Sequence, residues 1–296
     1  MAASTARTPL VVIVGETASG KSALAMEIAE HFNGEIICAD AVTVYEGFDI
    51  GSAKPSTHDR KLINHYLLDV ADPLEGYNVA KFKVAASRAI KEVNSHNKLP
   101  IMVGGTGLYI DSVLFDYKFL PTGGRKVRAE LNQMSLEQLA NRAVRLGYDF
   151  KNVDVSNKRR LIRLIETKGQ QSARGQLRDN TLILGISLSP ELIKHRIELR
   201  VDDMLAAGLE REVARLSSLY GWEIEPMKAV AYREWRSYFD KSATLEETRQ
   251  QIISSNLKLA KKQRTWFKRN KSIHWLNDST QQIDIDDILT TFLNKR

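Results

Sequence analysis

The residues best placed by type and spacing to do chemistry are Gly15-Glu16-Thr17-Ala18-Ser19-Gly20-Lys21-Ser22, which fit G-x-x-x-x-G-K-[ST]. In such a loop backbone N–H groups wrap a phosphate chain, Lys21 supplies a point charge and Ser22 can reach Mg²⁺. The loop does not name its phosphate. ATP is the default, and any diphosphate presents the same oxygens. Three further features could share the loop's crevice. Asp40 ends an apolar run, where it either faces the crevice shared with the loop or caps the turn that follows. Thr106 sits in Gly104-Gly105-Thr106-Gly107, either a place where backbone approaches a ligand or an ordinary strand-to-helix turn. Arg196 and Arg200 stand four apart on a helical pattern and could face the phosphate crevice.

The elements that must position these residues can be read from the apolar pattern. Leu10-Val11-Val12-Ile13-Val14 is the unbroken run of a parallel strand covered on both faces. After the loop, Leu24, Ala25, Ile28 and Ala29 form one stripe of a helix running to about Phe32. Glu35 to Ala39 reads as a second strand, Leu99 to Val103 as another, and Thr181 to Leu188 as a late one. Ser189-Pro190 supplies an N-cap and N1 proline for a long helical stretch from Glu191 toward Leu219. Between Phe115 and Val155 the pattern changes. Pro121-Thr122-Gly123-Gly124 interrupts it, Arg125, Lys126 and Arg128 follow, and Leu136, Leu139, Ala140, Ala143 and Val144 fall at helical spacing up to Gly147. Ser156-Asn157 then starts a helix in which Leu161, Ile162, Leu164 and Ile165 turn toward a core while Arg159 and Arg163 share another face.

Composition narrows the function classes. The 296 residues fit one α/β core with an insertion, and 43 Lys and Arg against 36 Asp and Glu give a formal net charge of +7. The excess is concentrated. From Thr248 to Asn277 no acidic residue occurs, while Arg249, Lys258, Lys261, Lys262, Arg264, Lys268, Arg269 and Lys271 do. Ile252, Ile253, Leu257 and Ala260 occupy one side, which describes an amphipathic helix with a cationic face suited to a nucleic-acid backbone. Trp266 and Phe267 are core anchors or base-stacking platforms. Beyond Asp278 the tail turns acidic. Cys38 is the only cysteine, which excludes disulfides within the chain and Cys-based zinc sites. Met1 to Thr8 is a polar lead without a signal core, and no run approaches the ~20 residues needed to span a bilayer, so a cytoplasmic protein is expected.

Asp40 to Pro55, read as D-A-V-T-V-Y-E-G-F-D-I-G-S-A-K-P, together with the phosphate loop resembles the tRNA dimethylallyltransferases, also called tRNA isopentenyltransferases. Asn64-His65-Tyr66-Leu67-Leu68-Asp69 and Ile101 to Tyr109 carry the resemblance on. Arg159 to Arg163 and Lys262-Gln263-Arg264-Thr265-Trp266-Phe267 complete it, so that it spans about residues 10 to 276 and is weakest between Phe115 and Val155. It implies an α/β, P-loop NTPase-like core with a parallel sheet and a small helical insertion domain: core over 1–114, a shortened insertion over 115–155, and core again over 156–296 with the basic helix. The activity implied is transfer of a dimethylallyl group from its diphosphate to N6 of adenine 37 in tRNA. Diphosphate would be held by Gly15 through Ser22 and neutralised by Mg²⁺ on Ser22, Lys21 and Arg200. Arg196, one turn away, is the other candidate arginine. The amine needs a general base, for which Asp40 is the candidate. The tRNA contacts implied are Asp40, Ala41, Val42, Thr43, Thr106, Arg128, Arg159, Arg160, Leu161, Ile162, Arg163, Lys261 and Arg264. The expected partners are the tRNA anticodon stem-loop and dimethylallyl diphosphate, with no membrane and the chain acting as a monomer.

The chain departs from the family pattern at Glu16, where Pro is usual, and at Ala41 and Thr43, where Ser and Gln are usual. Three other readings stay open on the sequence alone. A small-metabolite kinase would use Asp69 for its metal but leaves the basic helix unexplained. An RNA-binding nucleotide switch gives Asp40 no role, and a transferase acting on free AMP or ATP would not need the basic faces.

Overall fold

The computed structural model describes residues 8–294 except 122, 152, 171, 278 and 281, together with all but the side chain of Arg125. The lead Met1 to Arg7, Thr122, Asp278 and the Arg125 side chain therefore lie outside the described residues. The chain divides into two compact units, Met1–Leu114 with Arg178–Arg296 and Phe115–Leu177.

The larger unit runs β1 (Leu10–Gly15), α1 (Lys21–His31), β2 (Gly34–Cys38), α2 (Thr57–Leu62), β3 (His65–Tyr66), α3 (Val79–Ser95), β4 (Leu99–Gly104) and α4 (Gly107–Leu114). The smaller unit follows with α5 (Gly124–Gln133), α6 (Leu136–Arg145) and α7 (Lys158–Glu166). The chain then returns with β5 (Thr181–Ile186), α8 (Pro190–Ala206), α9 (Leu209–Tyr220), α10 (Trp235–Phe239), α11 (Leu245–Phe267), β6 (Ile273–Leu276) and α12 (Gln282–Asn294). The six strands form one sheet in the order β3-β2-β4-β1-β5-β6, and every pairing is parallel. Because β1 and β4 are buried on both faces, their sequences are apolar runs rather than alternating ones; β2 is buried too, with Glu35 held by Tyr66 and Lys98. From β1 the chain crosses to β2 and β3 on one side and later to β5 and β6 on the other. The carboxyl end of β1 is thus the switch point where such sheets bind ligands.

One core joins Leu24, Ile28, Ile36, Ile101, Leu184 and Leu289, closing α1 and α12 onto the sheet. A second joins Val44, Tyr45 and Phe48 with Ile197, Val213, Trp235 and Ile252. Into that second core runs Glu212 of α9. Its carboxylate accepts from the N–H groups of Asp49 (3.1 Å), Ile50 (2.8 Å) and Gly51 (3.1 Å) and from the Tyr232 hydroxyl (2.9 Å), which itself accepts from Ser52 N–H (3.1 Å). One buried carboxylate thus holds the Asp49-Ile50-Gly51-Ser52 turn. Among the described residues no helix is long and apolar enough to cross a membrane.

Four details differ from the sequence reading. The insertion extends to Leu177 instead of ending at 155. Leu161, Ile162, Leu164 and Ile165 of α7 pack with Leu131, Leu139 and Ala143 of the same unit, so the core they face is the insertion's own. The stretch from Glu191 toward Leu219 is two helices, divided at Gly208, whose φ of 99° no helix residue adopts. The cationic helix ends at Phe267, and β6, a short edge strand, occupies the end of the acid-free segment.

Replacing Glu212 by Ala leaves three backbone N–H groups and a buried hydroxyl without their acceptor. The expected loss is about 3–5 kcal/mol of stability in chemical denaturation, with Glu212→Gln losing less because one acceptor oxygen remains. Equal stability of wild type and Glu212→Ala would show that the turn holds itself.

Candidate active site

β1 delivers the chain to the loop and α1 carries it away. Gly20, the residue before α1, has φ 96° and makes no side-chain cap, so the first N–H groups of α1 are left for a ligand. Ala18 also has positive φ, at 60°. A helix N-terminus without a capping side chain is an anion site by geometry and by dipole. Lys21 folds back so that its ammonium donates to the Glu16 carbonyl. Its pKa falls to about 7, first because it is buried and second because Arg200 is near, with Asp40 and Glu16 pulling the other way. Ser22 is exposed beside it, while the Ser19 hydroxyl is buried without a partner.

Asp40 lies two residues beyond β2. Its Oδ1 accepts from Val42 N–H (2.7 Å) and Thr43 N–H (3.3 Å), so it does cap the following turn, and it also lines the cavity. The two readings of Asp40 are therefore compatible. Thr106 reaches across from the β4–α4 turn, its hydroxyl accepting from Ala41 N–H at 3.1 Å. The turn is close-fitting: a Cβ on Gly104 would overlap the Ala39 carbonyl. Arg200 comes from α8 with its Nε buried and unpartnered, a donor placed to meet an acceptor. Burial lowers its pKa and Asp40 raises it. Thr17, Lys21, Ser22, Asp40, Ala41, Val42, Thr43, Thr106 and Arg200 all line one cavity of about 1110 Å³.

α11 braces this cavity, a role its sequence did not suggest. Gln263 accepts from Thr17 N–H of the loop (2.7 Å) and donates to the Gly105 carbonyl (3.1 Å), tying the ends of β1 and β4 together. Arg264 clasps both oxygens of Glu16, its Nη2 at 2.9 Å from Oε2. Gln263 stands in the stretch that carries the family resemblance, as a neutral polar residue inside a cationic run, but its sequence context assigns it no role. Arg196 donates to the Ser19 carbonyl (3.3 Å), so both arginines of α8 reach the site region, one on the loop backbone and one on the cavity. Trp266 donates to Asp111 (3.1 Å) and fills the space above Gly107, which makes it an anchor. Arg249 makes two bonds to Asp202, at 2.6 and 2.9 Å. Lys258, Lys261 and Lys262 are exposed along α11.

In the smaller unit, Arg128 pairs with buried Glu166 (2.6 Å), and Arg163 donates to the carbonyls of Pro121 (3.3 Å) and Leu120. Leu161 and Ile162 are buried, whereas Arg159 and Arg160 are exposed. The carboxylate of Asp69 is taken up by Lys54 (2.5 Å) and Arg60 (3.0 Å), so the metal-binding role that a kinase would assign it is already filled. Among the described residues no cluster of three or more His, Cys, Asp or Glu is arranged to hold a metal ion.

Comparison with known proteins gives one family. The family model described as IPP transferase matches residues 43–270. A tRNA dimethylallyltransferase of Staphylococcus epidermidis is 36% identical over 97% of this chain and 92% of its own length. A crystal structure of a tRNA delta(2)-isopentenylpyrophosphate transferase from the same species covers 98% of this chain and 100% of its own, with a TM-score of 0.74 at 33% identity. A eukaryotic dimethylallyltransferase acting on tRNA superposes with a TM-score of 0.83 at 25% identity, over 98% of this chain and 80% of its own. With its parallel sheet, its phosphate loop and its Asp40 turn in one crevice, the chain belongs to the IPP transferase family, as a bacterial-type member.

Proposed function

We propose a division of labour among the crevice residues for the reaction of this family. The chain is a tRNA-modifying prenyltransferase that moves a dimethylallyl group from dimethylallyl diphosphate to N6 of adenine 37. The observation that carries the assignment is the single cavity lined by Lys21, Ser22, Arg200, Asp40 and Thr106. The loop and the uncapped N-terminus of α1 hold the diphosphate. As the allylic carbon–oxygen bond breaks, its electron pair stays on the diphosphate, and Lys21 and Arg200 meet that charge. The orphaned Nε of Arg200 fits an anionic oxygen. As the new carbon–nitrogen bond forms, the amine proton passes to Asp40, whose Oδ1 is occupied by the turn and whose Oδ2 is left for the amine.

A hard cation such as Mg²⁺ takes oxygen donors, and the exposed Ser22 hydroxyl at the cavity is of that kind. Ser22 would hold it, and it would supply neutralising charge to the leaving group. Thr106 and the Ala41-Val42-Thr43 turn border the place where an unstacked adenine enters. Lys258, Lys261 and Lys262 on the outer face of α11, with Arg159 and Arg160 on α7, face tRNA phosphates.

Asp40→Asn keeps the Oδ1 acceptor for the turn and removes only the proton acceptor. Single-turnover transfer is expected to slow by roughly 10²–10⁴-fold with tRNA affinity unchanged. A near-normal rate would remove Asp40 as the base.

Lys21 is half-neutral in the free protein near pH 7, and a bound diphosphate favours its charged form. Affinity for dimethylallyl diphosphate is therefore highest below that pKa and falls as pH rises above it, by up to about tenfold per unit until the bound-state pKa is passed. Titrations between pH 7.5 and 9.5, where the diphosphate is already ionised, isolate this effect. Lys21→Arg should flatten the profile, and a profile that stays steep in this variant assigns the titration elsewhere.

Lys261→Ala should weaken binding to all tRNAs and make the log–log salt slope shallower by about 0.7–0.9 without changing the modified base. An unaltered slope would make that lysine plain surface.

A further inference from the structure

Glu16 is the residue in the phosphate loop that chemistry would not choose, since it brings a carboxylate to the place where a diphosphate must sit. Its side chain is 4% exposed, so water does not screen it, and across 248 positions of sequence Arg264 clasps both of its oxygens. The neighbouring residue on α11, Gln263, holds the next residue of the loop, Thr17, by its backbone N–H. The loop is thus pinned to α11 at two consecutive residues on each side. Arg264 is 28% exposed, and its guanidinium is turned inward on Glu16.

We propose that Arg264 is a positioning residue for the diphosphate and not a tRNA-phosphate contact: its clasp cancels the Glu16 carboxylate and fixes the loop in its receptive shape. The inference rests on the reading of the crevice as a dimethylallyl diphosphate site and deepens it. Breaking one side of a buried pair leaves the other charge uncompensated, whereas removing both sides does not. Here the uncompensated charge would lie in the phosphate loop itself, beside the cavity that Thr17 and Lys21 line. Arg264 and Glu16 are therefore expected to be coupled in diphosphate affinity, and tRNA affinity is expected to be indifferent to both.

The test is a double-mutant cycle on the full chain, with calorimetric titration of dimethylallyl diphosphate and, separately, of tRNA. Arg264→Ala should raise the Kd for dimethylallyl diphosphate by at least about tenfold, and Glu16→Ala with Arg264→Ala should return it to within about threefold of wild type. Arg264→Lys, which keeps the charge but cannot clasp both oxygens, should fall between and covers the case in which Arg264→Ala fails to fold. Two results would overturn the proposal. One is a double variant as weak as Arg264→Ala, which would make the arginine a direct ligand of the diphosphate. The other is an Arg264→Ala variant with normal diphosphate affinity but weaker tRNA binding and a shallower salt slope. Transfer to tRNA by the wild type is measured in parallel. Its absence alongside an intact cycle would remove the transferase reading and leave the pairing standing.

Discussion

A diphosphate leaving group concentrates negative charge on a few oxygens, and that charge must be met at one place by groups that do not have to move. In this protein the place is the end of β1, where a parallel sheet changes direction and a helix begins without a capping side chain. Backbone N–H groups are the donors there, and a backbone held by strands on both sides cannot relax away as charge builds. The side chains that matter are then placed by how far they stand from that point. Lys21 and Ser22 come from the first turn of α1, Asp40 from the segment after β2, and Arg200 from α8, the helix that follows β5.

Such a site is expensive to hold open. Burial and the nearby Arg200 lower the proton affinity of Lys21 against the pull of Asp40, and Arg200 keeps a buried donor without a partner. The surroundings are correspondingly over-determined. Glu212 satisfies three consecutive N–H groups in the turn after Phe48. Lys54 ties Asp49 of that turn to Asp69. Gln263 closes the gap between the loop and the β4 turn. Each brace is a charged or amide side chain on a long lever, Glu212 and Gln263 from helices and Lys54 from the loop before α2, so the crevice keeps its shape without apolar side chains filling it.

What could be read in advance follows from this division. The phosphate loop, the Asp40 turn and the Thr106 turn were legible because each is a short contiguous stretch whose residue types are forced by local backbone geometry. The parallel sheet was legible because doubly buried strands read as unbroken apolar runs. The braces were not legible. Glu212, Gln263 and Arg264 hold loop and turn partners 158 to 248 positions away, and although Gln263 and Arg264 stand in a stretch that carries the family resemblance, nothing local says what they hold. Arg264 in particular resembled its lysine neighbours, and only its direction separates it from them. The boundary at 155 was misplaced because the apolar face of α7 looks the same whether it covers the sheet or, as it does, the small helical unit.

The point at which that unit is attached has its own consequence. The chain departs after Leu114 and comes back at Arg178, whose N–H donates to the Leu114 carbonyl at 2.7 Å. The two ends are therefore joined by the larger unit itself, whatever lies between them. The entropy of closing a loop rises only slowly with its length once the ends are fixed, so the sheet is nearly indifferent to how many residues the excursion contains. The helical unit can be trimmed, extended or exchanged as a module, and the register of β1, β4 and β5 would carry no record of the change.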